Sequence, residues 1–177
     1  MTNSEQGCSA NKQSDNRLVI EPLNRQHKRS RFQCGESLLD NYIKKLAKQD
    51  VKRRISQVYI AAESEKPSIV VGYYTLSTLS IGLNELPESL ACKLPMHPIP
   101  AALIGRLAVS EQAQGMGVGK MLLVDAIKRT LAISNEIAIY AMIVDVLNEE
   151  TKLFYTQFGF TQLNTQNQQL FLPLKSI

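Results

Sequence analysis

The amino-acid sequence predicts one domain of the α/β or α+β class, and three observations lead to that class. The chain has 177 residues with 44% hydrophobic content, which is enough for one globular core. Segments with strand-like and helix-like patterns are mixed along the chain. One strand–helix–strand unit lies at its centre, which an all-β sandwich or an all-α bundle would not contain.

The first half of the chain predicts three strands and one helix. A short strand is expected over residues 17–23, "RLVIEPL". Ser37 is expected to cap a helix in which apolar residues recur at helical spacing. These apolar residues are Leu38, Leu39, Tyr42, Ile43, Leu46 and Ala47. Two strand-like runs follow over residues 56–62 and 68–81, and the turn-forming "ESEKP" separates them.

The second half predicts the central strand–helix–strand unit. Residues 82–100 contain four prolines and predict no regular element. A strand over 101–109 leads into a glycine-rich stretch, and a helix begins at about Gly117 and runs to Ala132. The remaining expected elements are a strand over 136–144, a helix over 148–158 and a closing strand over 168–174.

The polar N-terminal residues 1–15 lack the apolar core of a signal peptide, and we expect them to form a flexible tail on a domain of residues 16–177. No apolar run approaches the ~18 residues that a membrane-spanning helix needs. These features predict a cytoplasmic protein without a membrane contact. The three cysteines are widely separated, so we expect reduced thiols and no metal site, with Cys34 and Cys92 packed inside.

The net charge of +4 is concentrated in one segment. Residues 25–54 hold ten lysines and arginines against three acidic residues, a net charge of +7, so the rest of the chain carries −3. A basic patch on a slightly acidic body is the expected footprint of a polyanion partner. A solvated helix face without a partner is the alternative.

The stretch "QAQGMGVGKMLL", residues 112–123, places three glycines at alternating positions before a lysine. A nucleoside-triphosphate loop would need a glycine where Gln114 stands and a hydroxyl where Met121 stands. A dinucleotide loop would need the spacing G-x-G-x-x-G, whereas the spacing here is G-x-G-x-G. A helix N-terminus whose free amides receive a pyrophosphate fits better, with Lys120 adding charge. A tight turn without a ligand is the alternative.

Residues Gln114 to Gly119 match the pattern Q/R-x-x-G-x-G/A, the acetyl-CoA motif of the GNAT N-acetyltransferases. The strand "LIGRLAV" precedes it, and "LFYTQFGF", Leu153 to Phe160, follows at the spacing typical of that family. The chain resembles the family over roughly Ile69 to Leu174. This resemblance implies a single GNAT domain that uses acetyl-CoA as cosubstrate.

The first half of the chain adds a narrower resemblance. The segments "FQCGESLLDNYIKKLAKQ", "ISQVYIA", "VVGYYTLS" and "PIPAALIGRLAV" are similar to the TacT/AtaT-type GNAT toxins of bacterial toxin–antitoxin modules. That resemblance implies a mixed, mostly antiparallel sheet flanked by helices. It also implies an enzyme that acetylates the α-amino group of aminoacyl-tRNA and thereby blocks translation. A ribbon-helix-helix antitoxin and a homodimer are the implied protein partners.

The resemblance also implies site residues. Pantetheine is expected in a gap between the strands at 104–109 and 137–144. The expected main-chain contacts are Leu107, Ala108 and Val109 for pantetheine, and Gln114, Gly115, Met116, Gly117, Val118, Gly119 and Lys120 for the pyrophosphate. Phe154 is expected beside the cofactor, and Asn148 either contacts the cofactor or caps its helix. Tyr155 falls on the recurring tyrosine of the family and is expected to donate a proton to the departing thiolate.

The sequence offers no catalytic base, and His27 and His97 are expected to be structural or surface residues. At pH 7 a lysine amine is neutral roughly once in 2,500 molecules, whereas an α-amine is neutral roughly once in six. This favours an α-amine, on aminoacyl-tRNA or a protein N-terminus, as the substrate. A small amine substrate and CoA binding without catalysis are the alternatives. The residues expected to hold tRNA are Lys44, Lys45, Lys48, Lys52, Arg53, Arg54 and Arg106.

Overall fold

A computed structural model describes residues 17–94, 98–163 and 168–177. They form one seven-stranded sheet with the strand order β1-β2-β3-β4-β5-β7-β6. The strands are β1 (Leu18–Pro22), β2 (Gln57–Glu63), β3 (Lys66–Ile81), β4 (Ile99–Val109), β5 (Ala141–Asp145), β6 (Thr161–Gln162) and β7 (Gln169–Pro173). Every neighbouring pair is antiparallel except β4 and β5, which are parallel. The prediction of a mixed, mostly antiparallel sheet is therefore confirmed.

Within the described ranges, five α-helices flank this sheet. They are α1 (Ser37–Asn41), α2 (Ala47–Arg53), α3 (Glu88–Ala91), α4 (Val118–Ser134) and α5 (Glu149–Thr156). A π-helical turn, Tyr42–Leu46, joins α1 to α2, so residues 37–53 form one continuous helical segment, called the basic helix below. No helix within the described ranges has the length and apolar character needed to cross a bilayer.

The two faces of the sheet carry different helices. On one face, α4 and α5 bury Leu122 and Tyr155 against apolar residues such as Met142 on β5. On the other face, the basic helix buries Ile43 against Tyr73, and the segment around α3 covers the ends of β3, β4 and β5. The side chains of each strand alternate between these two faces, so both faces are buried. This fits the long apolar runs of the central strands.

The basic helix differs from its prediction in its N-cap residue and in which of its side chains are buried. Glu36 occupies the N-cap position and Ser37 lies inside the helix, so the expected Ser37 cap is wrong. Leu38 is 76% exposed and Leu46 is 49% exposed, although the helical spacing predicts both on the apolar face. The π-helical turn explains the shift at Leu46, because each extra residue in a turn rotates the following side chains around the helix axis.

Two further expectations are corrected by the structure. The strand expected over 136–144 begins only at Ala141, which is the first β5 residue to pair with β4, while residues 136 and 137 follow the end of α4 in a turn. Cys92 is exposed and Cys34 is only partly buried, so the expectation that both cysteines are packed inside is wrong for Cys92. The N-terminal tail and His97 lie outside the described residues.

Candidate active site

The centre of the sheet opens where its two parallel strands stop pairing. β4 and β5 pair from Ala101 with Ala141 up to Ile104 with Val144. β4 continues to Val109 along β3, but those last residues have no strand beside them on the β5 side. Gly105 is the extra residue of a β-bulge at this point, since Arg106 pairs with Thr75 and Ile104 pairs with Leu76. A bulge of this kind re-aims the strand that follows it.

Beyond the bulge, the side chains of β4 alternate between the two faces of the sheet. Leu107 and Val109 pack on the side of α4 and α5, whereas Ala108 packs against the cluster beneath the basic helix. The main chain from 105 to 109 therefore forms one edge of a gap that connects the two faces of the sheet. This is the gap in which the sequence predicts pantetheine, and the roles of Leu107, Ala108 and Val109 stay predictions.

The glycine-rich loop lies between β4 and α4. Gly115 has φ +76° and Gly117 has φ +80°, backbone conformations that side chains rarely adopt. A Cβ atom at either residue would meet nothing within 4 Å, so the glycines are required for conformation and not for space. Gly117 is also the N-cap of α4 and lets the chain enter the helix directly from this loop.

The hydrogen bonds of this loop show which main-chain N–H groups remain free to bind the expected phosphate, a site called the cradle below. The N–H of Gln114 donates to Ser110 O at 3.1 Å, and the N–H of Met116 donates to Ala113 O at 3.4 Å. No backbone acceptor in the described chain takes the N–H groups of Gly115, Gly117, Val118, Gly119 and Lys120. These groups, at the positive end of the α4 dipole, are suited to an anion.

The Gln114 side chain has a different function from its main chain. Its Nε2 atom donates to Cys34 O at 2.9 Å and to Val109 O at 3.1 Å. The N–H of Glu111 also donates to Gln33 O at 2.9 Å. The loop before the basic helix is thereby fastened to the glycine-rich loop, far away in sequence. Gln114 thus shapes the cradle through its side chain, a role that the sequence did not suggest.

Tyr155 is positioned by α5 on the same side of the sheet as the glycine-rich loop. Its side chain is 3% exposed and packs against the rings of Phe154 and Phe160. Its hydroxyl forms no hydrogen bond within the described chain. Burial raises the pKa of Tyr155, and the carboxylate of Asp145 raises it further. The phenol is therefore held in its protonated form, which is the form a general acid requires.

Phe154 and Asn148 are located by α5 as well. A Cβ atom built on Gly119 would lie 3.7 Å from the Phe154 ring, so Phe154 packs on the first turn of α4 beside the cradle. Asn148 caps α5, because its Oδ1 accepts from the N–H and the hydroxyl of Thr151, both at 2.8 Å. The capping alternative for Asn148 is thus observed, and contact of either residue with the cofactor stays a prediction.

The basic helix presents an unneutralised cationic surface. Lys45, Lys48, Lys52, Arg53 and Arg54 are exposed, and Lys44 is partly buried. Among the described residues, none of these six side chains forms an ion pair. Arg106 is set apart from them, on β4 just beyond the bulge, with its guanidinium 3.9 Å from the centre of the Tyr42 ring. It connects the basic helix with the gap between β4 and β5.

The structure also places residues that the sequence analysis did not single out. Asp145 ends β5 directly beyond the last pair with β4, and its Oδ1 accepts from Gln169 Nε2 at 2.8 Å. An acidic residue immediately after the buried run "AMIV" was the available signal. His27 is confirmed as a structural residue, since it is 5% exposed and its Nδ1 accepts from the N–H of Asn24 at 3.1 Å.

The fold and this gap define the class of the protein. A mixed sheet whose parallel central strands part beside a glycine-lined helix N-terminus is the arrangement expected from the GNAT resemblance. Residues 54–162 match the acetyltransferase (GNAT) domain family, and this chain belongs to that family. It is therefore an acetyltransferase by family, as the sequence predicted.

Within this family, the chain is similar to two proteins over most of their length. The chain is 33% identical to a probable toxin TacT from Sinorhizobium fredii (strain NBRC 101917 / NGR234), over 90% of this chain and 92% of the relative. It is also 33% identical to a tRNA-acetylating toxin from Mycobacterium tuberculosis (strain ATCC 25618 / H37Rv), over 81% of this chain and 84% of that protein.

Solved structures that are similar to this chain include the proteins KacT and AtaT. A variant of KacT is 31% identical with a TM-score of 0.84, covering 90% of this chain and 96% of its own. AtaT complexed with acetyl-methionyl-tRNA is 30% identical, with the same TM-score and coverage. A variant of AtaT bound to acetyl-CoA and the C-terminus of the antitoxin AtaR is 29% identical, with a TM-score of 0.77 over 90% of this chain and 94% of its own.

Proposed function

We propose that this chain is an acetyl-CoA-dependent toxin that acetylates the α-amino group of aminoacyl-tRNA and blocks translation. The observation that carries the proposal is that Arg106 connects an unneutralised basic helix to the gap beside Tyr155. The strand that borders the gap therefore packs directly on the helix that carries the cationic surface. The names of its relatives, among them a tRNA-acetylating toxin, support the same substrate class.

The residues around the gap suit acetyl-CoA. When bound, acetyl-CoA supplies an acetyl thioester. The free amides lie at the position expected for its pyrophosphate, with the charge of Lys120 nearby; they belong to Gly115, Gly117, Val118, Gly119 and Lys120. The open edge of β4 offers unpaired main-chain groups for the amide groups of pantetheine. Tyr155 holds a proton that it donates to the sulfur as the thioester bond breaks.

An α-amine is the acceptor that needs the least help from the enzyme. An α-amine loses its proton near neutral pH, whereas a lysine amine has a pKa of about 10.4. His27, the only histidine in the described chain, accepts a hydrogen bond from the N–H of Asn24 in the turn after β1. Because an α-ammonium group has a pKa near neutrality, it can lose its proton to water.

The basic helix supplies affinity for the RNA part of the substrate. Lysines and arginines that contact phosphates position a nucleic acid without reading its sequence. The exposed residues Lys45, Lys48 and Lys52 would bind the acceptor stem while the aminoacyl end enters the gap beside Arg106. The choice among aminoacyl groups then depends on the shape of the gap.

The partners belong to the same proposal. AtaT is seen with its antitoxin AtaR, and KacT is seen in a complex named KacTA with DNA. We expect this chain to be neutralised in the same way by an antitoxin of the ribbon-helix-helix type, to form a homodimer and to act in the cytoplasm. Growth arrest on expression of the chain alone, relieved by Tyr155→Phe, is the corresponding phenotype.

Transfer of radiolabelled acetyl from acetyl-CoA to charged total tRNA tests this function. Uncharged tRNA and Tyr155→Phe are the controls. Label on charged tRNA only, with a large loss in the variant, would establish the substrate class. Binding of acetyl-CoA without label on tRNA would contradict the proposal, and free amines and peptides would then be tested as acceptors.

A further inference from the structure

Two residues of opposite charge border the gap between β4 and β5. Ile104 and Val144 form the last pair of the two strands. Arg106 follows on β4 beyond the bulged Gly105, and Asp145 follows on β5. Strand alternation places both side chains on the face that carries the basic helix, since Arg106 contacts Tyr42, and Asp145 has the same parity as Ile143.

The carboxylate of Asp145 is oriented but not neutralised. Gln169, its cross-strand partner on β7, donates to Oδ1 at 2.8 Å. Asp145 forms no ion pair within the described chain, and Arg106 instead lies over the Tyr42 ring. The charge of Asp145 also reaches the Tyr155 phenol, whose pKa it raises. A carboxylate without an ion pair in the described chain therefore stands at the opening of the gap, directly beyond the last pair of β4 and β5.

We infer that Asp145 is the residue that receives the amino group of the acceptor substrate. This inference rests on the proposed function only in requiring an amine acceptor, whatever the amine is attached to. An α-ammonium group is attracted to the carboxylate on arrival. It then loses one proton to water and attacks as the neutral amine.

The charge matters again during the transfer itself. The amine nitrogen forms a bond to the acetyl carbon and becomes positively charged, and it then loses a second proton to water. The carbon–sulfur bond breaks, and the sulfur takes the proton of Tyr155, which is replaced from solvent. A fixed carboxylate stabilises the positive charge on nitrogen both in the bound ammonium group and in the transition state, so its loss is measured relative to the free enzyme and substrate, as a fall in kcat/KM.

The variant Asp145→Asn tests the negative charge of Asp145 apart from its hydrogen bond to Gln169. The asparagine Oδ1 atom can still accept the hydrogen bond from Gln169, so the variant keeps the cross-strand contact and loses only the negative charge. Glu149→Gln is the matched control, since Glu149 lies close by in sequence and is exposed on the first turn of α5. Rates are measured on charged total tRNA and on amino-acid amides, with acetyl-CoA affinity and thermal unfolding for each variant.

We expect Asp145→Asn to lower kcat/KM about ten-fold with both acceptors, the effect of one lost charge-assisted contact. Acetyl-CoA affinity and the unfolding temperature should stay unchanged, and Glu149→Gln should behave as the wild type. Wild-type rates in Asp145→Asn, or an equal loss of acetyl-CoA affinity, would overturn the inference. Activity on the amides but not on charged tRNA would refute the tRNA substrate and leave Asp145 to be judged on the amide series alone.

Discussion

The guanidinium of Arg106 lies 3.9 Å from the centre of the Tyr42 ring, which joins the central strand of the sheet to the basic helix. Tyr42 belongs to the π-helical turn, and its ring is buried against Tyr73. The guanidinium lies over the face of the Tyr42 ring, so the ring and not the hydroxyl holds the arginine. The open end of β4 and the basic helix are therefore in direct contact through Arg106 and Tyr42.

Substitution of this pair is expected to change tRNA binding and not cofactor binding. Arg106→Lys and Tyr42→Leu should each raise the KM for charged tRNA about five-fold, the effect of one cation–π contact. Tyr42→Phe keeps the ring and should therefore bind tRNA as the wild type does. Steady-state kinetics with both substrates measures this. Equal tRNA kinetics in Arg106→Lys and the wild type would disprove the role of Arg106.

Tyr155→Phe is expected to lower kcat by a factor of roughly 10² to 10³ with acetyl-CoA affinity unchanged. The hydroxyl forms no hydrogen bond within the described chain, so its removal leaves the packing of the ring intact. Single-turnover kinetics and calorimetric titration with acetyl-CoA measure the two quantities. A variant that retains full activity would exclude Tyr155 as the proton donor.

The pH profile gives a second test of Tyr155. Burial raises the pKa of the phenol and Asp145 adds to this effect, so the proton is retained to higher pH than in an exposed tyrosine. Between about pH 8 and pH 10, where a free tyrosine begins to ionise, activity should show no decline due to Tyr155. A decline in the wild type at fixed saturating substrates, absent from Tyr155→Phe, would contradict the raised pKa.

Gly117→Ala is expected to weaken acetyl-CoA binding about ten-fold, because an alanine resists φ near +80° and would distort the cradle. Gly119→Ala is the matched control. Gly119 has no positive φ, and its added Cβ would lie in ordinary contact with Phe154 and Val109, both at 3.7 Å. Calorimetric titration compares the two variants. Equal acetyl-CoA affinity of Gly117→Ala and Gly119→Ala would show that the loop conformation does not determine binding.

Charge reversal on the basic helix is expected to change the salt dependence of tRNA binding. If Lys48 and Lys52 contact phosphates, Lys48→Glu combined with Lys52→Glu should lower the slope of log affinity against log salt by about two. Lys128→Glu is the control, since Lys128 is exposed on α4, which covers the other face of the sheet. Filter binding across a salt series measures the slopes. An identical slope in the double variant and the wild type would exclude this surface.

Stability is expected to fall with acid because of His27. Burial lowers the pKa of His27, against the opposing effect of Glu21, and its Nδ1 must be unprotonated to accept from Asn24. The unfolded chain therefore binds this proton more readily, so stability is complete above the ordinary pKa of about 6.5 and is lost as the pH falls below it. Urea unfolding at several pH values should show this decline. His27→Gln should show a flatter pH dependence, and an unchanged slope would exclude His27 as the cause.

The sequence could predict the parts of the fold that depend on local pattern. The helix after the glycine-rich loop and the α5 helix lie within a few residues of their predicted bounds, because caps, glycines and apolar spacing act locally. The π-helical turn at Tyr42 could not be predicted because it is compatible with ordinary helical spacing on both sides. The late start of β5 at Ala141 depends on pairing with β4, a contact between distant segments that no local pattern contains.

The same division applies to the site. Closely spaced glycines and a tyrosine in a recurring sequence context can be recognised from the sequence alone. The side-chain bonds of Gln114 and the position of Asp145 beside the gap depend on segments far apart in sequence. The bulge at Gly105 is of this second kind as well, because it exists only relative to the register of β3. Features of this second kind arise only when distant segments of the chain come together in the fold.

The most direct test of the function is to identify the atom that is acetylated. Charged total tRNA is incubated with acetyl-CoA and the wild-type chain and digested to nucleosides, and the 3′-terminal aminoacyl-adenosine is then analysed by mass spectrometry. We predict an acetyl group on the α-nitrogen of the amino acid, absent when Tyr155→Phe or uncharged tRNA is used. An acetyl group on a nucleobase, or none on the tRNA, would contradict the account.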